Sequence, residues 1–162
     1  TDSDVGNYRT FAKMAPPLRS EENRLAIIDG LSDGTIDAIA TDHAPHDQES
    51  KRVPMEHASN GVVGLETLLS LTLELVNNGH LTLLEALSKI TCEPADLIGL
   101  KAGKFYKGAP ADMVIFDPDA EWTVDLEKII SKSKNTPFEG RKMIGKVNRT
   151  IVDGRTVFKQ EA

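Results

Sequence analysis

The sequence predicts an α/β chain: a parallel barrel-type layer, followed by a smaller, mostly β portion. Three observations carry that expectation. Residues 20–41 read as a helix followed at once by a short apolar strand, the repeating unit of a parallel α/β layer. That strand ends in Asp42, with His43 and His46 on the loop just beyond it. Parallel barrels place their chemistry at the carboxyl ends of their strands. Past Gly103 the texture changes to short β runs separated by tight turns.

The elements follow in order. Residues 1–12 are polar with scattered aromatics, a loop composition. Pro16-Pro17 excludes helix and stiffens the backbone that carries Arg19. Ser20 is a good N-cap, with Glu21 and Glu22 suited to the positive end of a helix running to about Leu31. Leu25, Ile28 and Leu31 form its apolar stripe. Asp33-Gly34 ends that helix, and residues 37–41 read as a strand buried on both faces. Pro45 keeps the loop that follows out of any helix. For an isolated Asp, capping the next turn is the ordinary role. Two imidazoles on the same rigid loop shift Asp42 towards chemistry.

Residues 47–60 form a long polar stretch, expected to be irregular and partly disordered. Residues 65–77 carry the dense apolar pattern of a helix packed on both sides, stopped by Asn78-Gly79. Thr82 and Glu85 form a capping box for the next helix, with Leu84, Leu87 and Ile90 as its buried face. Pro94 opens a short helix through Leu97. Further on, Met113-Val114-Ile115-Phe116 is a β run expected to end at Asp117-Pro118. Residues 147–152 and 156–158 flank Asp153-Gly154-Arg155 as the two strands of a hairpin. The expected division is residues 1–102 for the barrel portion and residues 103–162 for the β portion.

Composition narrows the function class. Hydrophobic content of 40% and charged content of 27% fit a globular protein. Lys and Arg number 19 against 25 Asp and Glu, a net charge of −6, which argues against a nucleic-acid surface. No apolar run approaches the ~20 residues of a membrane span. The lone Cys92 has no internal disulfide partner, which suits a reducing cytoplasm, and a small core residue is its expected role. His57 and His80 stand alone in polar surroundings and are expected to face solvent. No phosphate-binding Gly-x-x-x-x-Gly-Lys is present.

Several strings, in order along the chain, resemble those of dihydroorotases, members of the metal-dependent amidohydrolase superfamily. Asp42-His43-Ala44-Pro45-His46, preceded by Ala40-Thr41, resembles their last barrel strand and its loop. Lys13-Met14-Ala15-Pro16-Pro17-Leu18-Arg19 matches their Lys-x-Asn-Pro-Pro-Leu-Arg, with Ala15 replacing the Asn. Gly61-Val62-Val63-Gly64-Leu65-Glu66-Thr67 and Ser133-Lys134-Asn135-Thr136-Pro137-Phe138-Glu139-Gly140 resemble two further family segments. The resemblance implies the C-terminal part of a metal-dependent hydrolase (β/α)8 TIM-type barrel plus part of a small β-sandwich. It also implies that the chain is the C-terminal portion of a longer enzyme and inactive alone.

What the resemblance implies chemically is reversible, zinc-dependent cyclisation of N-carbamoyl-L-aspartate to dihydroorotate, in cytoplasmic pyrimidine biosynthesis. Asp42 matches the residue that ligates zinc and shuttles the proton. His46 matches a substrate-binding histidine, and Asn60 and Gly61 match residues whose backbone groups contact substrate. Ala15 occupies a substrate-contacting position but lacks the amide that serves there. One or two zinc ions are expected, with the remaining ligands upstream. His43 has no implied ligand role; packing and hydrogen bonding are its expected work. Expected partners are the small-molecule substrate, the missing N-terminal segment, and a second copy of the chain or aspartate carbamoyltransferase. Two alternatives stand beside this one: a non-catalytic dihydroorotase-like partner of aspartate carbamoyltransferase, and a related cyclic amidohydrolase such as an allantoinase or hydantoinase.

Overall fold

A computed structural model describes residues 1–160, so the last two residues of the expected β portion lie outside the described residues. The chain divides into two compact units, each assembled from three separate segments. Residues 1–30, 41–68 and 123–142 make the first; residues 31–40, 69–122 and 143–162 make the second.

The first unit has little regular structure. Two short 3-10 turns, Asp2–Val5 and Thr10–Ala12, precede helix α1 (Glu21–Asp33). Helix α1 starts where Ser20 predicts, with Glu21 and Glu22 in its first turn. Its stripe is narrower than expected: Ile28 and Leu31 are buried, whereas Leu25 is 42% exposed. Residues 41–47 are extended loop. The stretch after them is not irregular throughout, because helix α2 (Gln48–Lys51) forms inside it. Asp47 caps α2 by accepting the Ser50 N–H at 2.7 Å, and that bond holds the Asp47 carboxyl below its usual pKa. Residues 124–142 close the unit, with Val124, Ile129, Asn135 and Thr136 buried.

In the second unit, helix α3 (Leu68–Asn77) begins later than the apolar run suggests. Residues 65–67 form a turn instead, in which the Thr67 and Leu68 N–H groups both reach the Gly64 carbonyl. Helix α4 (Leu83–Ser88) carries the expected capping box: Glu85 N–H donates to Thr82 Oγ1 at 3.3 Å, and Thr82 N–H donates to Glu85 Oε2 at 2.7 Å. Its buried face differs from the expectation. Ala86 is fully buried and Leu84 is 79% exposed, so the helix turns its small residue inward. Helix α5 (Cys92–Leu97) starts two residues before Pro94, which therefore sits in the first turn, where its missing N–H costs nothing.

The second unit also holds most of a three-stranded sheet, order β1 (Met113–Thr123), β2 (Lys142–Val152), β3 (Arg155–Lys159). Strand β1 does not stop at Asp117-Pro118 but runs through it. It is an edge strand, so a residue without an N–H can lie on its unpaired side. Strands β2 and β3 pair antiparallel as the expected hairpin, with Val152 opposite Arg155. Asp153 (φ 49°) and Gly154 (φ 73°) both take the left-handed conformation that a tight two-residue turn requires. Trp122 Nε1 donates to Ser70 Oγ at 3.1 Å and to the Gly145 carbonyl at 3.0 Å, tying α3 to the sheet.

The expected strand at residues 37–41 is extended but not laddered. A strand needs a neighbour, and among the described residues none pairs with it. Lys89 holds it instead. The Lys89 carbonyl accepts the Ile39 N–H at 2.9 Å, and Lys89 Nζ donates to the Ile36 carbonyl at 2.9 Å. Its faces are partly exposed for the same reason.

Candidate active-site loop

The residues singled out by sequence fall within the first unit. Asp42 ends the extended segment, exposed and with φ at 43°. Left-handed backbone is uncommon outside glycine, although Asp tolerates it better than most residues. It turns the chain sharply between Thr41 and His43.

His43 points back into the protein. Its Nδ1 accepts the Gly64 N–H at 3.1 Å, which leaves the proton of a neutral ring on Nε2. This is the hydrogen-bonding role the sequence assigns it. His46, half-buried, donates from Nε2 to the Asn60 carbonyl at 2.8 Å. The structure thus brings together His46, Asn60 and Gly61, three of the expected substrate residues.

Gly61 belongs there because nothing larger fits. A Cβ on it would lie 2.6 Å from the Ala44 Cβ, and its φ is 101°. Its backbone groups are committed to the protein: the N–H donates to the Lys13 carbonyl at 2.9 Å. Its carbonyl accepts from Lys51 Nζ at 3.0 Å and from Asn135 Nδ2 at 3.2 Å. Ala15 is exposed, and its segment reaches this strap through Lys13. His57 lies on the surface, as expected.

Three residues build the site that sequence reasoning gave no individual role. Lys13 Nζ donates to the carbonyls of Met55 (2.6 Å) and Ala58 (2.7 Å). Lys51, with no exposed surface, donates to those of Ser59 (2.8 Å) and Gly61. Burial, and next the Lys13 charge, push the Lys51 pKa down. Asn135, 1% exposed, bridges the 43–46 loop and the 60–63 strap. Lys13 and Asn135 stood inside motifs already noticed, but nothing local in Gln48-Glu49-Ser50-Lys51 signals a buried ammonium.

Glu66 has a supporting part. Its carboxylate accepts the N–H groups of Ile130 (2.9 Å) and Ser131 (3.0 Å), anchoring the segment that leads to Asn135. Among the described residues, no three His, Cys, Asp or Glu side chains gather as a metal site. A catalytic zinc takes about three protein ligands. The described residues therefore do not gather such a ligand set by themselves.

The arrangement offers an exposed carboxylate at a sharp turn, an imidazole locked to a backbone carbonyl, and a glycine strap held by the Lys51 ammonium and the Lys13 carbonyl. Comparison with known proteins adds to this. The sequence model of the amidohydrolase family matches residues 10–157. A dihydroorotase of Anaplasma phagocytophilum (strain HZ) is 54% identical over 160 residues, 99% of this chain and 36% of that protein. A dihydroorotase of Geotalea daltonii is 53% identical over 161 residues, covering 99% of this chain and 38% of its own length. Among solved structures, an L-hydantoinase (dihydropyrimidinase) from Arthrobacter aurescens superposes with a TM-score of 0.90 at 33% identity, over 100% of this chain and 37% of that one. A D-hydantoinase from Thermus sp. gives 0.84 at 27% identity, over 93% and 34%. The chain thus spans a little over a third of the length of the curated relatives it matches. Among the described residues no helix is long and apolar enough to cross a membrane.

Proposed function

Because this chain belongs to the amidohydrolase family, we propose that it is part of a dihydroorotase, which interconverts N-carbamoyl-L-aspartate and dihydroorotate in pyrimidine biosynthesis. The observation that carries this reading is identity of 49% to 54% with proteins named dihydroorotase along 98–100% of the chain. Hydantoinase and dihydropyrimidinase structures with the same fold are 21% to 33% identical. Retention of both Asp42 and His46 favours a catalytic protein over a scaffold that has lost its chemistry.

In this reading residues 1–102 are late strands and helices of a (β/α)8 barrel, and residues 103–162 are part of a small β-sandwich. Asp42 moves the proton. In ring opening, an oxygen nucleophile adds to the ring carbonyl, the C–N bond breaks, and the leaving nitrogen takes up a proton. A carboxylate at an exposed turn accepts that proton from the nucleophile and hands it to nitrogen. Cyclisation runs the same transfers backwards. His46, Asn60 and Gly61 form the substrate wall, where the imidazole is held by its bond to the Asn60 carbonyl. Asp42 is also proposed as one ligand of zinc, one or two ions, with the other ligands contributed from outside these 162 residues.

The test is Asp42→Asn in the full-length protein, assayed in both directions. Turnover falls by about 10²–10⁴-fold, the usual range for losing a positioned acid–base group, with the unfolding midpoint nearly unchanged. Near-normal turnover would sink the assignment. Assaying the parent on hydantoin and allantoin separates the related cyclic amidohydrolases, because this reading requires dihydroorotate to be preferred.

A further inference from the structure

Asn135 has a side-chain amide committed on every side. Its Oδ1 accepts the His46 N–H at 3.1 Å, and its Nδ2 donates to the Ala44 carbonyl at 2.8 Å and to the Gly61 carbonyl at 3.2 Å. Its own carbonyl accepts the Val63 N–H at 3.0 Å. These partners come from the two walls of the proposed substrate site: Ala44 and His46 on one, Gly61 and Val63 on the other. The residue is 1% exposed, so it touches no solute itself.

The post that carries it is fixed. Glu66 takes the Ile130 and Ser131 N–H groups, Lys134 Nζ donates to the Ile129 carbonyl, and Thr136 is buried beside it. A primary amide is the side chain this place requires. An acid would turn an oxygen towards the carbonyls of Ala44 and Gly61, and an alkyl group would leave the Ala44 carbonyl without this donor and the Gly61 carbonyl to Lys51 alone.

We propose that Asn135 is the positioning residue of this site: it sets the spacing between His46 and the Asn60–Gly61 strap, and through it the affinity for the carboxylate-bearing substrate. The inference rests on the dihydroorotase reading for the identity of that substrate. A misplaced binding group weakens its contact with the substrate in the ground and transition states alike, so the effect falls on KM. Because Asn135 acts chiefly through the placement of His46, its removal matters most while the imidazole is present.

The experiment is a double-mutant cycle in the full-length protein: Asn135→Ala, His46→Ala and the pair, with KM and kcat for dihydroorotate measured separately. Asn135→Ala is expected to raise KM about tenfold with kcat changed by less than about threefold, as for loss of binding shared by ground and transition states. In the His46→Ala background the same substitution is expected to change KM by less than about twofold, the mark of groups that act as one. Asn135→Ser, smaller and uncharged, keeps a hydroxyl that can bond one of these partners and replaces the alanine variant in the cycle if that one does not fold. Additive KM effects overturn the proposal. So does a fall in kcat at unchanged KM, which a smaller folded fraction would give. A parent protein inactive on dihydroorotate removes the functional reading and this inference together, whereas an active parent with an additive cycle removes the inference alone.

Discussion

In the β2–β3 hairpin and at the start of α4, polar groups find partners a few residues away. In the loop of residues 41–46 they find them far along the chain. Thr82 and Glu85 satisfy each other at a separation of three residues, and Asp153-Gly154 closes the hairpin within its own turn. His46 N–H and the Ala44 carbonyl instead meet Asn135 across 89 and 91 residues. Gly61 meets the same side chain across 74. The first region is assembled from local rules, each contributing about 1 kcal/mol and each replaceable. The second is held by a few buried polar side chains that leave several groups unsatisfied together if one is lost.

The comparison breaks most directly at Lys51. Lys51→Met keeps the length of the stem but removes the donor from two carbonyls, Ser59 and Gly61. The Gly61 carbonyl keeps its bond from Asn135 Nδ2, whereas the Ser59 carbonyl loses its donor. At about 1–3 kcal/mol for a buried acceptor left unmade, the expected loss is about 1–3 kcal/mol, offset in part by no longer burying a charge. Urea unfolding of the parent and the variant measures it. A loss below about 0.5 kcal/mol, the range of ordinary surface substitutions, would mean that the loop does not depend on this ammonium.

The same pair of proteins sharpens the point with pH. Burial lowers the Lys51 pKa in the folded state below its ordinary 10.5, so between the two values the unfolded chain binds more protons. Stability from this group therefore rises with pH across that window, and the full penalty of burying the cation is present below it. A neutral amine still has two N–H groups for its two carbonyls. The expected outcome is that the advantage of Lys51 over Met grows as pH is raised from neutral towards 10.5. An advantage that stays flat or shrinks across a pH series of urea midpoints would contradict the sign.

Legibility followed the same divide. The α4 capping box, the Asp-Gly hairpin and the Ser20 start of α1 were readable because cause and effect lie within a few residues. Asp42 and His46 stand out as candidates for chemistry because their types and spacing are unusual. What could not be read was what holds them. Lys51 looks like a solvated charge in a polar loop, and its burial depends on carbonyls that only the folded chain turns inward. Local periodicity also misassigned Leu84, because α4 is too short for its stripe to dictate which side packs. Pro118 reads locally as the end of a strand, yet the strand continues, since edge position is a property of the sheet and not of the segment.

Gly154→Ala probes the local side of the comparison. Its φ of 73° is costly for any residue with a Cβ, about 1–2 kcal/mol. The nearest atom to that Cβ would be Ala111 Cβ at 3.9 Å, an ordinary contact, so the cost is conformational alone. Amide exchange should quicken in β3 and the facing end of β2. Gly154→Asn, which tolerates left-handed backbone, should recover most of it. An equal loss in both variants would mean that space, and not φ, selects the glycine.

The smallest expected effect is at Thr82. Thr82→Ala removes the acceptor of the Glu85 N–H but leaves the Glu85 carboxylate bonded to the Thr82 N–H, so half of the box survives. Loss of an N-cap hydroxyl costs about 1 kcal/mol, and here the surviving half should hold it towards the lower end of the usual range of about 0.5–2 kcal/mol. The Glu85 pKa is lowered first by its bond from the Thr82 backbone, which the substitution keeps. The remaining stabilisation should therefore persist at neutral pH and fade as pH falls below the ordinary carboxylate value of 4.5 through the lowered one. Amide exchange at Glu85 and Ala86 reports it directly, with protection falling by roughly fivefold for about 1 kcal/mol of local opening. The change should stay within the first turn of α4, since the interactions of that hydroxyl are with Glu85, inside the same turn. Loss of protection along the whole of residues 83–97 would show that the box supports more than its own helix, and the contrast between local and long-range polar groups would then be one of degree.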